Sequence, residues 1–103
     1  MKTKVSRVTL SDVLKKELRD PEFRFYFERE KAKSEIARLV RDFRQRASLT
    51  QAELARRSNT NQTVIARLES GLDRRIPSLD LLDRVAHAVK AKLMVGFEYK
   101  RAA

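Results

Sequence analysis

Apolar residues return at helical spacing along most of this chain and change period only once, near the C-terminus. Phe23, Tyr26 and Phe27, then Ile36, Leu39, Val40, Phe43 and Ala47, recur every three or four positions, which gathers them on one side of an α-helix. Asp20-Pro21 precedes the run as a start signal, a capping side chain followed by proline at the first helical position. The pattern predicts helix to about Arg46, with room for a break near Glu30–Lys33. Upstream, Ser11 and Asp12 open a short helix to about Arg19. Residues Met1 to Thr9 read as a tail that is disordered, strand-forming or in touch with nucleic-acid backbone.

The densest set of signals lies in Thr50–Ser70. Thr50 and Glu53 have the spacing of a capping box, in which each side chain satisfies the other's backbone amide. Leu54 and Ala55 then face inward, and Ala55 is small enough for a second helix to cross closely. Asn59 stands at the turn, and asparagine tolerates left-handed backbone better than most residues. Asn61 caps a second helix whose apolar side is Val64, Ile65 and Leu68, and Gly71 ends it. Its opposite side offers Gln62, Thr63, Ala66 and Arg67 to solvent. That face is too polar for core and suits base edges in a major groove.

After Gly71 comes the loop Leu72–Ile76, then Pro77 and a helix capped by Ser78 with Asp80 in its first turn. Leu79, Leu82, Val85, Ala86 and Val89 are its expected core residues. From Lys92 the period falls to two. Leu93, Val95, Phe97 and Tyr99 alternate with Lys92, Met94, Gly96 and Glu98, the signature of a half-buried strand. A lone strand is not stable, so this one requires its own N-terminal segment, the same strand of another subunit, or a partner protein.

Length and composition narrow the classes. The 103 residues suffice for one small domain with an extension: 1–33 as N-terminal tail and helical extension, 34–91 as the domain, and 92–103 as strand and tail. Without cysteine there is no disulfide, thiolate metal site or cysteine nucleophile, which fits a reducing cytoplasm. His87, the single histidine, stands apart from any carboxylate cluster and reads as structural. No phosphate-cradling glycine loop or metal-ligand spacing is present, so neither catalysis nor a cofactor or metal is expected. No apolar run reaches membrane-spanning length. The net charge of +10, from 24 Lys and Arg against 14 Asp and Glu, favours polyanions without choosing among DNA, RNA and anionic lipid. It is spread over both halves, so part of it serves to keep long helices soluble.

Gln51, Leu54-Ala55, Ser58-Asn59-Thr60, Gln62, Ile65 and Arg67-Leu68-Glu69-Ser70-Gly71 together resemble the Cro/cI-like (Xre-type) helix-turn-helix DNA-binding domains, over about Ile36 to Ala91. The one departure is Asn59, where that family usually has glycine. The resemblance implies a mainly α, lambda-repressor-like bundle, here with an N-terminal helical extension and a C-terminal β-strand. It also places Arg74 and Arg75 in a loop along the sugar-phosphate backbone. In such a domain Gln51 sets its amide on a phosphate, and Asn61 and the helix N-terminus add backbone contacts. Gln62 and Thr63 reach base edges, and Arg67 guanine or phosphate. One module covers a half-site, which argues for a homodimer on a palindromic operator.

Residues 12–28, DVLKKELRDPEFRFYFE, followed directly by this motif, resemble the HigA-type antitoxins of bacterial toxin–antitoxin pairs. That likeness implies an antitoxin that neutralises a small RelE/HigB-like ribonuclease and represses its own operon. The N-terminal helices would then bind the toxin, although antitoxins of basic toxins are often acidic and this chain is basic. Phe23, Phe25, Tyr26 and Phe27 cannot all bury against one surface. They form either a satellite core or a surface that a toxin or a second copy completes, as do Val95, Phe97 and Tyr99 in the strand. A stand-alone Xre-type regulator is the alternative.

Overall fold

The computed structural model of the protein describes residue 17 and residues 19–99. The tail 1–9 and most of the helix expected from Ser11 lie outside the described residues. Four helices follow in order: α1 (Pro21–Arg46), α2 (Gln51–Arg57), α3 (Gln62–Ser70) and α4 (Leu79–Ala88). The chain divides into two compact units, Met1–Lys33 and Ser34–Ala103.

Helix α1 begins as its sequence directs, with Asp20 Oδ1 accepting the Glu22 amide at 3.0 Å. It runs unbroken for 26 residues, so the break allowed for near Glu30–Lys33 does not occur. Lys33 is instead buried and pairs with Glu30 at 2.8 Å, an i,i+3 contact made by continuous helix. In the first unit Phe23 and Phe27 stack one turn apart with ring centroids 6.2 Å apart. Phe25 and Tyr26 are exposed.

In the second unit the core consists of Ala37, Val40, Leu49, Leu54, Ala55, Ile65, Leu68 and Val85. Ile36, Ala47, Leu81, Leu82, Ala88 and Val89 pack around it, and α2 lies against both α3 and α4. Three expected core positions differ. Leu39 and Phe43 are exposed while Ala37 is buried, because the inward stripe of α1 runs through 37, 40 and 44 and carries Arg44 to a buried partner. Leu79 is exposed as the first residue of α4, and Leu81 packs inward instead.

Three helices end the same way. Ser48, Asn59 and Lys90 adopt φ of 57°, 56° and 61°. The amide of each donates to the carbonyl three residues back, and the next amide to the carbonyl five back: Ser48 N to Gln45 O, Leu49 N to Arg44 O; Asn59 N to Arg56 O, Thr60 N to Ala55 O; Lys90 N to His87 O, Ala91 N to Ala86 O. This is the Schellman arrangement, normally completed by glycine because a Cβ crowds the left-handed backbone. Helix α3 ends on Gly71 itself, at φ 70°. Asn59 was legible as such a residue; Ser48 and Lys90 carried no signal.

The strand expected over 92–99 is not formed in the isolated chain. Residues 91–99 have no regular secondary structure, and no strand occurs among the described residues. The physical reason is that the described residues offer no neighbouring strand, without which an extended segment has nothing to pair with. Val95 is exposed, and Phe97 and Tyr99 are fully so at 104% and 101%.

Candidate nucleic-acid interface

Helix α2 is positioned at its start by the capping box. Thr50 Oγ1 accepts the Glu53 amide at 3.1 Å, and Glu53 Oε1 accepts the Thr50 amide at 2.8 Å. Those bonds, with Arg56 and Arg57 nearby, hold the Glu53 carboxyl below the ordinary glutamate value, the backbone amide of Thr50 contributing most. Helix α3 starts on Asn61, whose Oδ1 accepts the Val64 amide at 3.0 Å.

The turn between α2 and α3 is fastened from outside by α4. The Arg84 guanidinium donates to the carbonyl of Ser58 and, at 3.0 Å, to that of Asn59, while Asp80 Oδ2 steadies it at 3.0 Å. Ser58 is buried, and its hydroxyl has no hydrogen-bond partner among the described residues. One guanidinium thus satisfies two carbonyls at the turn that sets the angle between the helices.

The far end of α3 is held by charge. Glu69 is 4% exposed and receives Arg44 Nε at 2.6 Å on one carboxylate oxygen and Arg44 Nη2 at 2.9 Å on the other. Gln51 Nε2 donates to the same carboxylate at 3.1 Å, Arg41 Nη1 to the Glu69 carbonyl at 3.1 Å, and Arg44 Nη1 to the Leu49 carbonyl at 2.9 Å. The hydrogen bonds that Arg44 donates to Glu69, with the charge of that carboxylate, raise the Arg44 pKa above the ordinary arginine value against the opposing effect of burial. This two-pronged, charge-assisted pair ties α1, α3 and the start of α2 together.

With both ends fixed, α3 presents one polar side outward. Gln62, Thr63 and Arg67 are exposed and Ala66 is half-buried, and their 62, 63, 66, 67 spacing places them on one face. Ile65 and Leu68 hold the other side in the core at 0% and 6% exposure. Gln62, Thr63 and Arg67 make no side-chain hydrogen bond or ion pair with any described residue, so each is available to a ligand. Arg74 and Arg75 are exposed in the loop beyond Gly71, where Asp73 Oδ1 accepts the Arg75 amide at 3.0 Å.

Of the sequence candidates, the structure brings Gln62, Thr63, Ala66 and Arg67 together on α3, with Asn61 as its N-cap. Gln51 sits half-buried at the start of α2 with its amide engaged by Glu69 rather than free. Phe23 and Phe27 are occupied by each other, Phe25 and Tyr26 are exposed, and so are Val95, Phe97 and Tyr99. The framework residues Arg41, Arg44, Glu69 and Arg84 were not singled out for these roles. A signal existed for two of them: Arg44 and Glu69 each fall four residues after a core position of their own helix, Val40 and Ile65, with opposite charges.

A short helix locked against its neighbours by turn, core and ion pair, with free amide, hydroxyl and guanidinium groups along its outer side, defines a DNA-reading helix-turn-helix module. The family model described as helix-turn-helix matches residues 40–93, and the chain belongs to that family. It is thereby a DNA-binding regulator of transcription. Comparison with curated proteins and with solved structures finds no match. Among the described residues no helix is long and apolar enough to cross a membrane.

Proposed function

We propose that the protein is a homodimeric, cytoplasmic repressor that reads a palindromic operator through α3, and that it is also the antitoxin of a RelE/HigB-like ribonuclease whose operon it controls. It acts by binding alone, without catalysis or cofactor. The observation that carries the operator reading is the outward face of α3, where Gln62, Thr63 and Arg67 have no partner among the described residues although the helix beneath them is fixed. Gln62 has the bidentate chemistry for adenine, Thr63 suits a thymine methyl, and Arg67 suits guanine or phosphate. Arg74 and Arg75 supply phosphate contacts that set register without reading sequence.

The antitoxin part is supported by the exposed aromatics Phe25 and Tyr26, at 62% and 61%, on a segment whose sequence resembles HigA-type antitoxins. The opposing reading, a stand-alone regulator, is favoured by the basic charge of +10, which suits a basic toxin poorly. Two experiments separate the claims. Selection of binding sites from random DNA should return an inverted repeat, and Gln62→Ala or Arg67→Ala should weaken that site about 10–100-fold. Unchanged affinity in both would overturn the reading face. Co-purification from the native locus should yield a small stoichiometric partner that is lost with Phe25→Ser/Tyr26→Ser. A partner-free dimer would leave the stand-alone regulator.

A further inference from the structure

We infer that residues 91–99 form an antiparallel two-stranded ladder with the same segment of a second copy, in one register, centred on Val95. The inference deepens the dimeric reading above and rests on it. The helix before the segment is closed by Lys90 at φ 61°, a conformation outside the strand region, so a strand can begin no earlier than Ala91. Everything from Met94 to Tyr99 is exposed, and Gly96 has no atom within 4 Å of where a Cβ would stand. The segment's edges therefore stand open to another chain.

Pairing between two identical segments leaves few choices. Directly opposed residues share a face in an antiparallel pair, so only registers that oppose odd positions to odd ones keep Leu93, Val95, Phe97 and Tyr99 together. Centring on Gly96 sets Lys92 against Lys100, a like-charge pair, and leaves Glu98 facing Met94. Centring on Met94 calls for Lys90 opposite Glu98, which the left-handed backbone at Lys90 forbids. Centring on Val95 sets Lys92 opposite Glu98 twice by symmetry, with Leu93 opposite Phe97 twice, Ala91 opposite Tyr99 twice, and Val95 opposite itself. Charge and apolar rows both close in that register alone, and opposed charges and aromatic–aliphatic pairs are the contacts that stabilise a ladder. The fully exposed Phe97 and Tyr99 thereby acquire cross-strand neighbours.

The test uses the full chain, which has no native cysteine. Val95→Cys and Gly96→Cys variants are oxidised mildly and resolved without reductant, with dimerisation followed by sedimentation and DNA binding by gel shift. In the inferred register the two Val95 positions face each other within disulfide reach, while the two Gly96 positions are diagonal and beyond the ~7 Å Cα limit, so only the first variant cross-links. Lys92→Glu should weaken the dimer about 10–30-fold by replacing two attractions with two repulsions, and Lys92→Glu/Glu98→Lys should restore it. Cross-linking through position 96 instead, a dimer that cross-links through neither, or a monomer at all concentrations would each overturn the inference. So would loss of the dimer on toxin addition with the toxin protecting 91–99, which would give the edge to a foreign strand. A chain that binds DNA yet fails to cross-link sinks the ladder alone. One that cross-links yet binds no DNA sinks the operator reading alone.

Discussion

Replacing Glu69 with glutamine keeps the shape of the side chain and removes its charge. The change leaves the Arg44 guanidinium, only 14% exposed, facing one neutral carbonyl oxygen where it now holds two charged ones at 2.6 and 2.9 Å. Breaking a buried pair by removing one partner costs about 3–5 kcal/mol. Two features reduce that here: the glutamine oxygen still accepts one bond, and Arg44 keeps the Leu49 carbonyl at 2.9 Å. The expected loss is about 2–3 kcal/mol for Glu69→Gln, a large part of the roughly 4–10 kcal/mol available to a domain of this size. At about 4–8 °C per kcal/mol the melting temperature should fall by about 10–20 °C.

Urea and thermal unfolding of the full chain, followed by far-ultraviolet circular dichroism, reads this directly. The paired change Arg44→Met/Glu69→Leu removes both charges and should lie close to the wild type, since well-packed apolar replacements of a buried pair are often neutral. The cycle built from Arg44→Met, Glu69→Leu and the double variant isolates the coupling. A loss under about 0.5 kcal/mol for Glu69→Gln, or additive single changes, would refute the claim that this pair holds α3 in place.

Other outcomes follow from the same geometry. Ser48→Gly and Lys90→Gly should each stabilise the fold by about 0.5–1 kcal/mol, because each relieves a Cβ in left-handed backbone that outweighs the added chain entropy of glycine; chemical denaturation checks both. Arg74→Ala should weaken binding to every DNA sequence alike and lower the salt dependence by about 0.9 in slope, measured by titration over a range of potassium chloride. The Glu53 carboxyl, held below its ordinary value by the Thr50 amide, binds its proton more readily unfolded than folded. Its contribution is therefore present above the ordinary glutamate value and lost as pH falls through the depressed one. Glu53→Gln should accordingly flatten the acid limb of the stability curve, and an unchanged limb would show that the capping box carries no charge effect.

The helix-turn-helix was legible because its signals are local. Thr50 with Glu53, Asn61, Ser78 and Gly71 each act within a few residues of themselves, and the structure uses all of them as expected. Ala55 and Ile65 were legible as core because helical spacing leaves them nowhere else to point. Long-range polar contacts were not. Nothing within a turn of Arg84 reveals that it will reach carbonyls 25 and 26 residues away, and the spacing that sets Arg44 below Val40 does not name Glu69, 25 residues on, as its partner. Leu39 and Phe43 differ because the inward stripe of α1 includes Ala37 and the charged Arg44, and apolar spacing does not count a charged residue as inward. The alternation at 92–99 is a real period, but period alone does not supply the neighbouring strand that a ladder needs, and the described residues form none.

The division of labour on α3 bears on how such a regulator changes its target over generations. Its anchoring groups, Ile65, Leu68 and Glu69, lie on one side, and the side chains of its outward groups, Gln62, Thr63 and Arg67, make no hydrogen bond or ion pair with any described residue. Substitutions at the outward positions leave the burial of the anchors intact, and exposed changes away from caps and core alter stability by about 0.5 kcal/mol or less. On the operator reading proposed above, a lineage can therefore explore new operators one residue at a time without passing through an unfolded intermediate. Drift in the anchors, by contrast, is constrained in pairs: Arg44 and Glu69 can leave together far more easily than either can leave alone.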